Sequence, residues 1–466
     1  MKAIFGPWLL YGTSRLTFPV NIILDAAYAG FYINVACPSG SCRMERVLAH
    51  HDGEESLMKK TVISGKHAAE ALKFTGNIID ECGPRLAGTE ACRRSADIIK
   101  REMDRHCDCT AIEEFEMHPR AMLGFICVSA VSFIVSSVFL FFGCLIPAAA
   151  GYTFGVVISV CQFVFYLQVF DRFYEKKKGY NVYGVIEPAA EVRQQIIISG
   201  HHDSAYVFNF FAKFPRLYRI RLILGLIPIN VSFFLVWTWV IMNYVFDAIP
   251  GFADIFRYGA IASFVFVVPL VFFLGKKGTP GAGDNMIATA IALKIAELFK
   301  RAGKKGHPAL KHTRLVILSF DAEESGLRGA KAFAKKHRAE LQAIPAYNFN
   351  MDSIYDVDKI KFLVSDINGT VKLSGNMAER CVEIARRQGF SARTLRMPFG
   401  GGGTDAAELA KAGVNATTLI AMPVSIERDV VVYHTLDDTV DHVHPETVEA
   451  VLKILHSYIV EMDGEA

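Results

Sequence analysis

The sequence predicts an α/β fold, a mixed and mostly parallel sheet with helices on both faces, interrupted by two transmembrane helical hairpins. Three observations carry this reading. Short apolar β-rich runs alternate with helical patterns through the hydrophilic parts of the chain. Two other stretches are too long and too free of charge for a globular core. Polar residues that make poor strand formers collect where the apolar runs end.

The chain has 466 residues, 52% of them hydrophobic, and a formal charge of +3. Its mean hydropathy is +0.28. That is too apolar for an ordinary soluble enzyme and too charged for a pure transporter. The small net charge, with no basic stripe interleaved with aromatics, argues against a nucleic-acid partner. Cysteines form no disulfide ladder. Cys127, Cys144 and Cys161 lie in apolar runs, Cys107 and Cys109 are too close for an ordinary bridge, and only Cys37 and Cys42 are placed to pair. Such usage suits a reducing compartment. Residues 1–57 are a leader whose apolar stretches are broken by Arg15 and Asp25, a poor signal peptide and a poor span. Met44 or Met58 is the expected true start.

The hydrophilic parts cover 58–120, 171–221 and 276–466. Met58 to Met103 is helical in pattern, with "GPRLAGT" as a turn, and "CTAIEEFEMH" reads as the first strand. The run from Ala121 to Phe170 holds no charged residue, enough for two spans of about 20 residues, and "LIPAAAGY" reads as the turn between them. "NVYGVIEP" and "QQIIISGHHDS" read as strands. A second hairpin occupies 222–275, with spans from Leu222 to Phe246 and from Tyr258 to Gly275.

After it, the loop "GTPGAGDN" opens an amphipathic helix near Asp284. A strand from Leu315 to Phe320 ends at Glu323 and Glu324, and a helix follows from Ala330 to Lys336. "AYNFNMDSI", "KIKFLVSDI" and "ATTLIAMPV" are further strands. Helices fall at Ser374 to Gln388, Asp405 to Ala412 and Pro445 to Met462. Arg172, Lys176, Lys177, Lys178, Lys213, Arg216, Arg219, Arg221, Lys276 and Lys277 all flank the spans on the side that carries the hydrophilic bulk. Basic flanks resist translocation, so that bulk is predicted to face the cytoplasm, with the lipid bilayer as a partner.

Glu323 and Glu324 raise the chemical question. Adjacent carboxylates at a strand tip repel, and burying them unpaired is costly. A solvated loop would explain them alone. They are not alone: His201 and Asp203 in "ISGHHDS", Asp284 in "GAGDN", Asp352 in "NMDSI" and His434 in "VVYHTLDDT" also sit where strands end. In an open α/β sheet the carboxyl ends of strands line the ligand crevice, so residues far apart in sequence converge there. Two His and several carboxylates form a set that borderline metals such as zinc accept.

In order, "GPRLAGT", "GHHDS", "GAGDN", "FDAEESGLRGA", "NMDSI" and "YHTLDDT" resemble the motifs of the co-catalytic zinc exopeptidases of metallopeptidase family twenty-eight. That family includes leucyl aminopeptidases, aminopeptidase Y, glutamate carboxypeptidase and related glutaminyl cyclases. The resemblance runs from Met58 to the C-terminus except for both hairpins. It implies a zinc-exopeptidase-like sheet, two Zn²⁺ per chain and a peptide substrate. Asp284 would bridge the metals, with His201 and Asp352 completing one site and Glu324 and His434 the other. Glu323 would be the general base for a metal-activated water, and Asp203 would orient His201. Asp405 and Asp438 lie in family motifs without an assigned role, and His202 stands at a variable position. The second hairpin occupies a loop that is short in the family.

The reading that results is a membrane-bound zinc exopeptidase, with aminopeptidase favoured over carboxypeptidase and the two not separated by the motifs alone. The alternatives are a glutaminyl-cyclase-like acyltransferase with one zinc, or an inactive scaffold on the same fold. A transporter is disfavoured, because the spans hold no intramembrane charges and no broken repeated helices.

Overall fold

A computed structural model describes residues 62–213, 215–303, 309–423 and 432–466. The leader, with Cys37, Cys42, Met44 and Met58, lies outside the described residues. Two helices, α1 (Gly65–Cys82) and α2 (Glu90–His106), precede the sheet. Thr89 caps α2 by accepting a hydrogen bond from the backbone of Cys92.

Nine strands form one mixed sheet. They are β1 (Cys109–Met117), β2 (Lys177–Ile186), β3 (Gln194–His201), β6 (Thr313–Phe320), β7 (Ala346–Ile354), β8 (Ile360–Asp366), β9 (Val371–Lys372), β10 (Arg393–Arg396) and β11 (Asn415–Ala421). In space the order is β1-β2-β6-β3-β7-β11-β8-β10, with β9 paired to β8. The four central strands β6, β3, β7 and β11 are parallel, and antiparallel β1–β2 closes one edge. Helices cover both faces of such a centre, so its strands are continuous apolar runs; every residue of β3 is buried. The main core packs Ile196, Ile198 and Ile317 against Ile291 and Ile295 of helix α7 (Ile287–Ala302) and Leu455 of the closing helix. That closing helix runs from Pro445 to Glu465, with its Pro in the first turn, where no amide donor is needed. Helices α8 (Arg328–Lys336), α9 (Gly375–Arg387) and α10 (Ala406–Lys411) complete the layers.

Four helical segments are long and apolar enough to cross a membrane: α3 (Ala121–Phe141), α4 (Leu145–Val164), α5 (Tyr218–Val245) and α6 (Ala253–Phe272). Large apolar side chains such as Val135, Ile227, Phe234 and Val265 stand exposed on them. Within the first hairpin small residues let the backbones approach. Ser129 and Ser132 donate to the carbonyls of Gly155 and Gly151 at 3.0 and 2.7 Å. Trp237 of α5 donates to Thr153 of α4 at 2.8 Å, joining the two hairpins.

Three expectations are corrected. "LIPAAAGY" is the first half of α4 and not a turn, because Pro147 falls in the first helical turn, where its missing N–H costs nothing. The turn lies one step earlier, at Phe142–Cys144, with Gly143 at φ +76°. The fourth span starts at Ala253 and stops at Phe272, since Leu274–Gly278 forms β5. That strand pairs antiparallel with β4 (Tyr206–Phe208), so a small two-stranded sheet closes the root of the second hairpin. The helix expected from Asp284 begins at Ile287, and Asp284 itself sits in an irregular turn, Ala282–Met286.

Candidate metal centre

His201, Asp352, Glu323 and Glu324 stand at or just past strand ends, whereas Asp284 lies in the turn before α7 and His434 in a loop and not at a strand end. His201 is the last residue of β3, placed by the apolar run Ile196–Ile198. The strand comes so near α7 that a Cβ on Gly200 would lie 2.6 Å from that of Ala288. Asp352 lies near the end of β7, where Ser353 donates to its Oδ1 at 2.8 Å. Glu323 and Glu324 follow β6 in a tight turn: the Glu323 carbonyl accepts the N–H groups of Gly326 and Leu327, both at 2.8 Å. His434 sits in the left-handed region at φ +55°.

The side chains converge. Nε2 of His434 is 3.1 Å from both Asp284 Oδ2 and Glu324 Oε1. Nε2 of His201 is 3.4 Å from Asp284 Oδ1 and 3.8 Å from Glu323 Oε2. Three triads result, His201–Asp284–Asp352, Asp284–Glu324–His434 and His201–Glu323–Glu324, each with ligand atoms within 4.8 Å of one another; the first two share Asp284. The Nε2 atoms of His201 and His434, and Oδ2 of Asp284, are buried without a hydrogen bond among the described residues. Polar atoms this close that do not bond one another point at a common centre. A cation at that centre would satisfy lone pairs that are otherwise expensive to bury.

Charge tells the same story. Burial opposes the imidazolium of His201, yet the carboxylates of Glu323, Asp203 and Asp284 outweigh it and hold its pKa well above the ordinary value. His434 is raised to about 10, burial again being overcome, here by Glu324 and Asp284. Burial pushes the carboxyls of Glu323 and Glu324 up, and neighbouring carboxylates add to it. Asp352 rises to about 7 through burial and the Asp284 charge. Asp284 is lowered despite its burial, because His201 and His434 flank it. Carboxylates crowded in a dry pocket are the environment that a divalent cation relieves.

Asp203 is fully buried. Its Oδ1 lies 3.2 Å from Nδ1 of His201 and also accepts the Glu323 N–H at 3.1 Å, while Oδ2 accepts the Glu324 N–H at 3.2 Å. Three residues without a role in the sequence reading join the scaffold. Arg85 of "GPRLAGT" is completely buried. It donates to the carbonyls of His202, Pro280 and Gly281, each at 2.8 Å, and so ties the His201 and Asp284 loops together. Asp438 accepts the N–H groups of Gly283 and Asp284 at 2.8 and 3.3 Å; burial and the Asp284 charge push its carboxyl up to about 7. Asp405 is buried with neither carboxylate oxygen hydrogen-bonded among the described residues, and burial holds its pKa well above the usual range. His202 belongs to a different buried group with Cys92 and Asp321; burial and the nearby Arg85 charge lower its pKa to about 3.

Residues 267–459 match peptidase family M28. Over 173 residues, 37% of this chain, the sequence is 27% identical to aminopeptidase YwaD of Bacillus subtilis (strain 168), and the match spans only 35% of that protein's length. Among solved structures, the zinc aminopeptidase BSAP from Bacillus subtilis superposes with a TM-score of 0.51 at 15% identity, covering 86% of this chain and 96% of that one. An aminopeptidase from Aneurinibacillus sp. strain AM-1 gives 0.50 at 13% identity, covering 87% and 95%. At such identities the structural likeness establishes the fold.

Proposed function

Because the chain carries a peptidase family M28 domain, we propose that it is a membrane-bound, zinc-dependent exopeptidase that removes residues from the amino end of peptides. The single observation behind this reading is the pair of ligand triads sharing Asp284, with the Glu323 carboxylate beside them. In it, Asp284 would be shared by two metal positions, with His201 and Asp352 completing one and Glu324 and His434 the other. The orphaned imidazole nitrogens and the mixed nitrogen and oxygen donors fit zinc. When bound, zinc polarises the scissile carbonyl and brings a water within reach of deprotonation near neutral pH.

The chain's own groups do the rest. Glu323 is the carboxylate of the turn that stands outside the two triads sharing Asp284, with its Oε2 3.8 Å from His201 Nε2. It accepts the proton of the attacking water and delivers it to the leaving amine. Asp203 keeps His201 in the tautomer whose Nε2 is a free donor to metal, and by holding the Glu323 and Glu324 amides it fixes base and ligand in one frame. An inactive scaffold is disfavoured because every predicted ligand stands in the cluster. A one-zinc acyltransferase is disfavoured because the Glu324–His434 triad is as fully assembled as the other.

The four apolar helices support anchoring in a bilayer, and the Lys and Arg residues at their roots support a cytoplasmic catalytic face. The amino-end preference follows the aminopeptidase relative. Short peptides blocked at one end or the other test it. Cleavage that survives a carboxyl-terminal block and fails with an acetylated amine is expected; the opposite pattern makes the enzyme a carboxypeptidase.

A further inference from the structure

We propose that the two metal positions are held by different parts of the molecule: the His201–Asp352 position by the central sheet, the Glu324–His434 position by the roots of the apolar hairpins. The inference rests on the two-metal reading above.

His201 and Asp352 lie in β3 and β7. The first of these strands is paired on both sides, by β6 and β7, and the second by β3 and β11. The His201 ring is fixed through Nδ1, which hydrogen-bonds the Asp203 carbonyl at 3.1 Å and lies 3.2 Å from Asp203 Oδ1. Among the described residues the strand pairings that place His201 and Asp352 involve no hairpin residue, and Asp203, which also accepts the Glu323 and Glu324 amides, is the one link from this position to the Glu324 turn.

Glu324 is held differently. Its turn is closed internally, with Arg328 N–H donating to the Ala322 carbonyl at 3.0 Å, and it passes through left-handed conformations at Ala322 and Leu327. Such conformations persist only where the surroundings enforce them. The enforcing groups come from both ends of the first hairpin. Met122, at the start of α3, packs on Gly326, whose φ is +90° and where a Cβ would lie 3.0 Å from the Met122 side chain. Met122, Leu327 and Tyr166, which follows α4, share one buried cluster. Asp171, just after the hairpin, forms a buried ion pair with Arg328 at 2.9 Å, and Arg328 in turn donates to the Gly326 carbonyl at 3.3 Å.

His434 is gripped by the second hairpin. Phe208, before α5, donates its N–H to the His434 carbonyl at 3.1 Å, and its ring meets the imidazole edge-on at 4.3 Å. Phe273, after α6, packs on Phe208 at 4.6 Å. The contrast with His201 is sharp. Nδ1 of His434 is buried and makes no hydrogen bond among the described residues. A metal-ligating imidazole is ordinarily oriented by a hydrogen bond from its other nitrogen. Here the Phe208 ring and the stacked Tyr433, 3.9 Å away, orient it instead.

The test uses the full chain in lipid nanodiscs, loaded with zinc and exposed to rising dipicolinate, with bound metal counted by plasma mass spectrometry. Asp171→Asn and Phe208→Leu each remove a root contact while keeping bulk. Each is expected to release one zinc at about 10–100-fold lower chelator, the loss usual when an orienting group is removed, while the other zinc leaves as in wild type. Retention of the second zinc shows that the variant has folded. Transfer of wild type from nanodisc to detergent is expected to weaken the same zinc. Release of both metals as in wild type by both variants, or loss of both together, overturns the division. A wild-type count below two overturns the two-metal reading and this inference with it.

Discussion

Asp203 Oδ1 accepts the backbone N–H of Glu323 at 3.1 Å. The two residues are far apart in sequence, yet this bond sets the proposed base relative to the proposed ligand His201, whose Nδ1 meets the same oxygen at 3.2 Å. One buried carboxylate thus aligns a ring from β3 and a turn from β6. Asp203→Asn keeps the size but offers a single acceptor oxygen where the carboxylate offered two. Metal affinity should fall by about 10–100-fold, and turnover with it, even at saturating zinc, because the Glu323–Glu324 turn loses a partner. Chelator titration together with kcat at saturating zinc checks this; an Asn variant with wild-type kcat would show that the turn holds itself.

Glu323→Gln separates base from ligand. The amide keeps the shape of the side chain but accepts no proton from water. Zinc content should stay at the wild-type level while kcat falls by about 10²–10⁴-fold. Glu324→Gln should instead lower zinc content. Normal turnover in the first variant at full metal occupancy would falsify the base assignment.

How much of this was legible beforehand follows from what each feature depends on. The long strands announced themselves as apolar runs, and β7 coincides with "AYNFNMDSI" from end to end. The converging residues were legible because His, Asp and Glu at strand tips have no structural reason to be there. Arg85 and Asp438 were not. Their work is hydrogen bonding to backbone amides and carbonyls of distant loops, which no local pattern encodes. The hints were the places of Arg85 in "GPRLAGT" and of Asp438 in "YHTLDDT", which gave neither a role. Strands β4, β9 and β10 are too short to show a period, and β5, "LGKKG", carries the composition of a loop. The turn in the first hairpin was misplaced because Pro147 falls in the first turn of α4, where a proline is compatible with helix.

The edge of the sheet carries a pH-sensitive contact remote from the metal centre. His337 Nε2 lies 2.9 Å from Glu113 of β1, and its Nδ1 lies 3.0 Å from Glu340. Burial opposes the charged ring, but Glu113 and Glu340 outweigh it and raise its pKa. Burial likewise opposes the Glu113 carboxylate, and His337 and Lys336 overcome it, lowering that pKa. The signs follow. The His337 term is fully present below the unfolded histidine value of about 6.5 and is lost as pH rises through the raised folded value. The Glu113 term is present above the unfolded value of about 4.3 and is lost as pH falls through the depressed one. The contact therefore contributes most between these limits. His337→Gln should lower the unfolding temperature more at pH 6 than at pH 9, measured with zinc in excess. An equal loss at both pH values would assign the contribution to packing alone.

The last prediction concerns the side of the bilayer on which the catalytic centre lies. The basic clusters lie beside the hairpin roots, with Arg257 at the far end of the second hairpin as the exception, and the roots are the segments that touch the metal centre: Asp171 through Arg328, and Phe208 directly on His434. The centre is thereby kept close to the membrane surface, whichever side that is. Lys and Arg near span ends resist translocation, so the expected arrangement has roots and centre in the cytoplasm and the two hairpin turns outside. Cys144 lies exposed in the first turn and is a native probe; Ile249, exposed in the second, accepts a Cys replacement. Ser391, exposed before β10, reports the catalytic face. In single-cysteine variants in intact cells, a membrane-impermeant maleimide should label Cys144 and I249C and spare S391C until the cells are opened. The reverse pattern would place the catalytic centre outside the cytoplasm, against the charge of its own flanks.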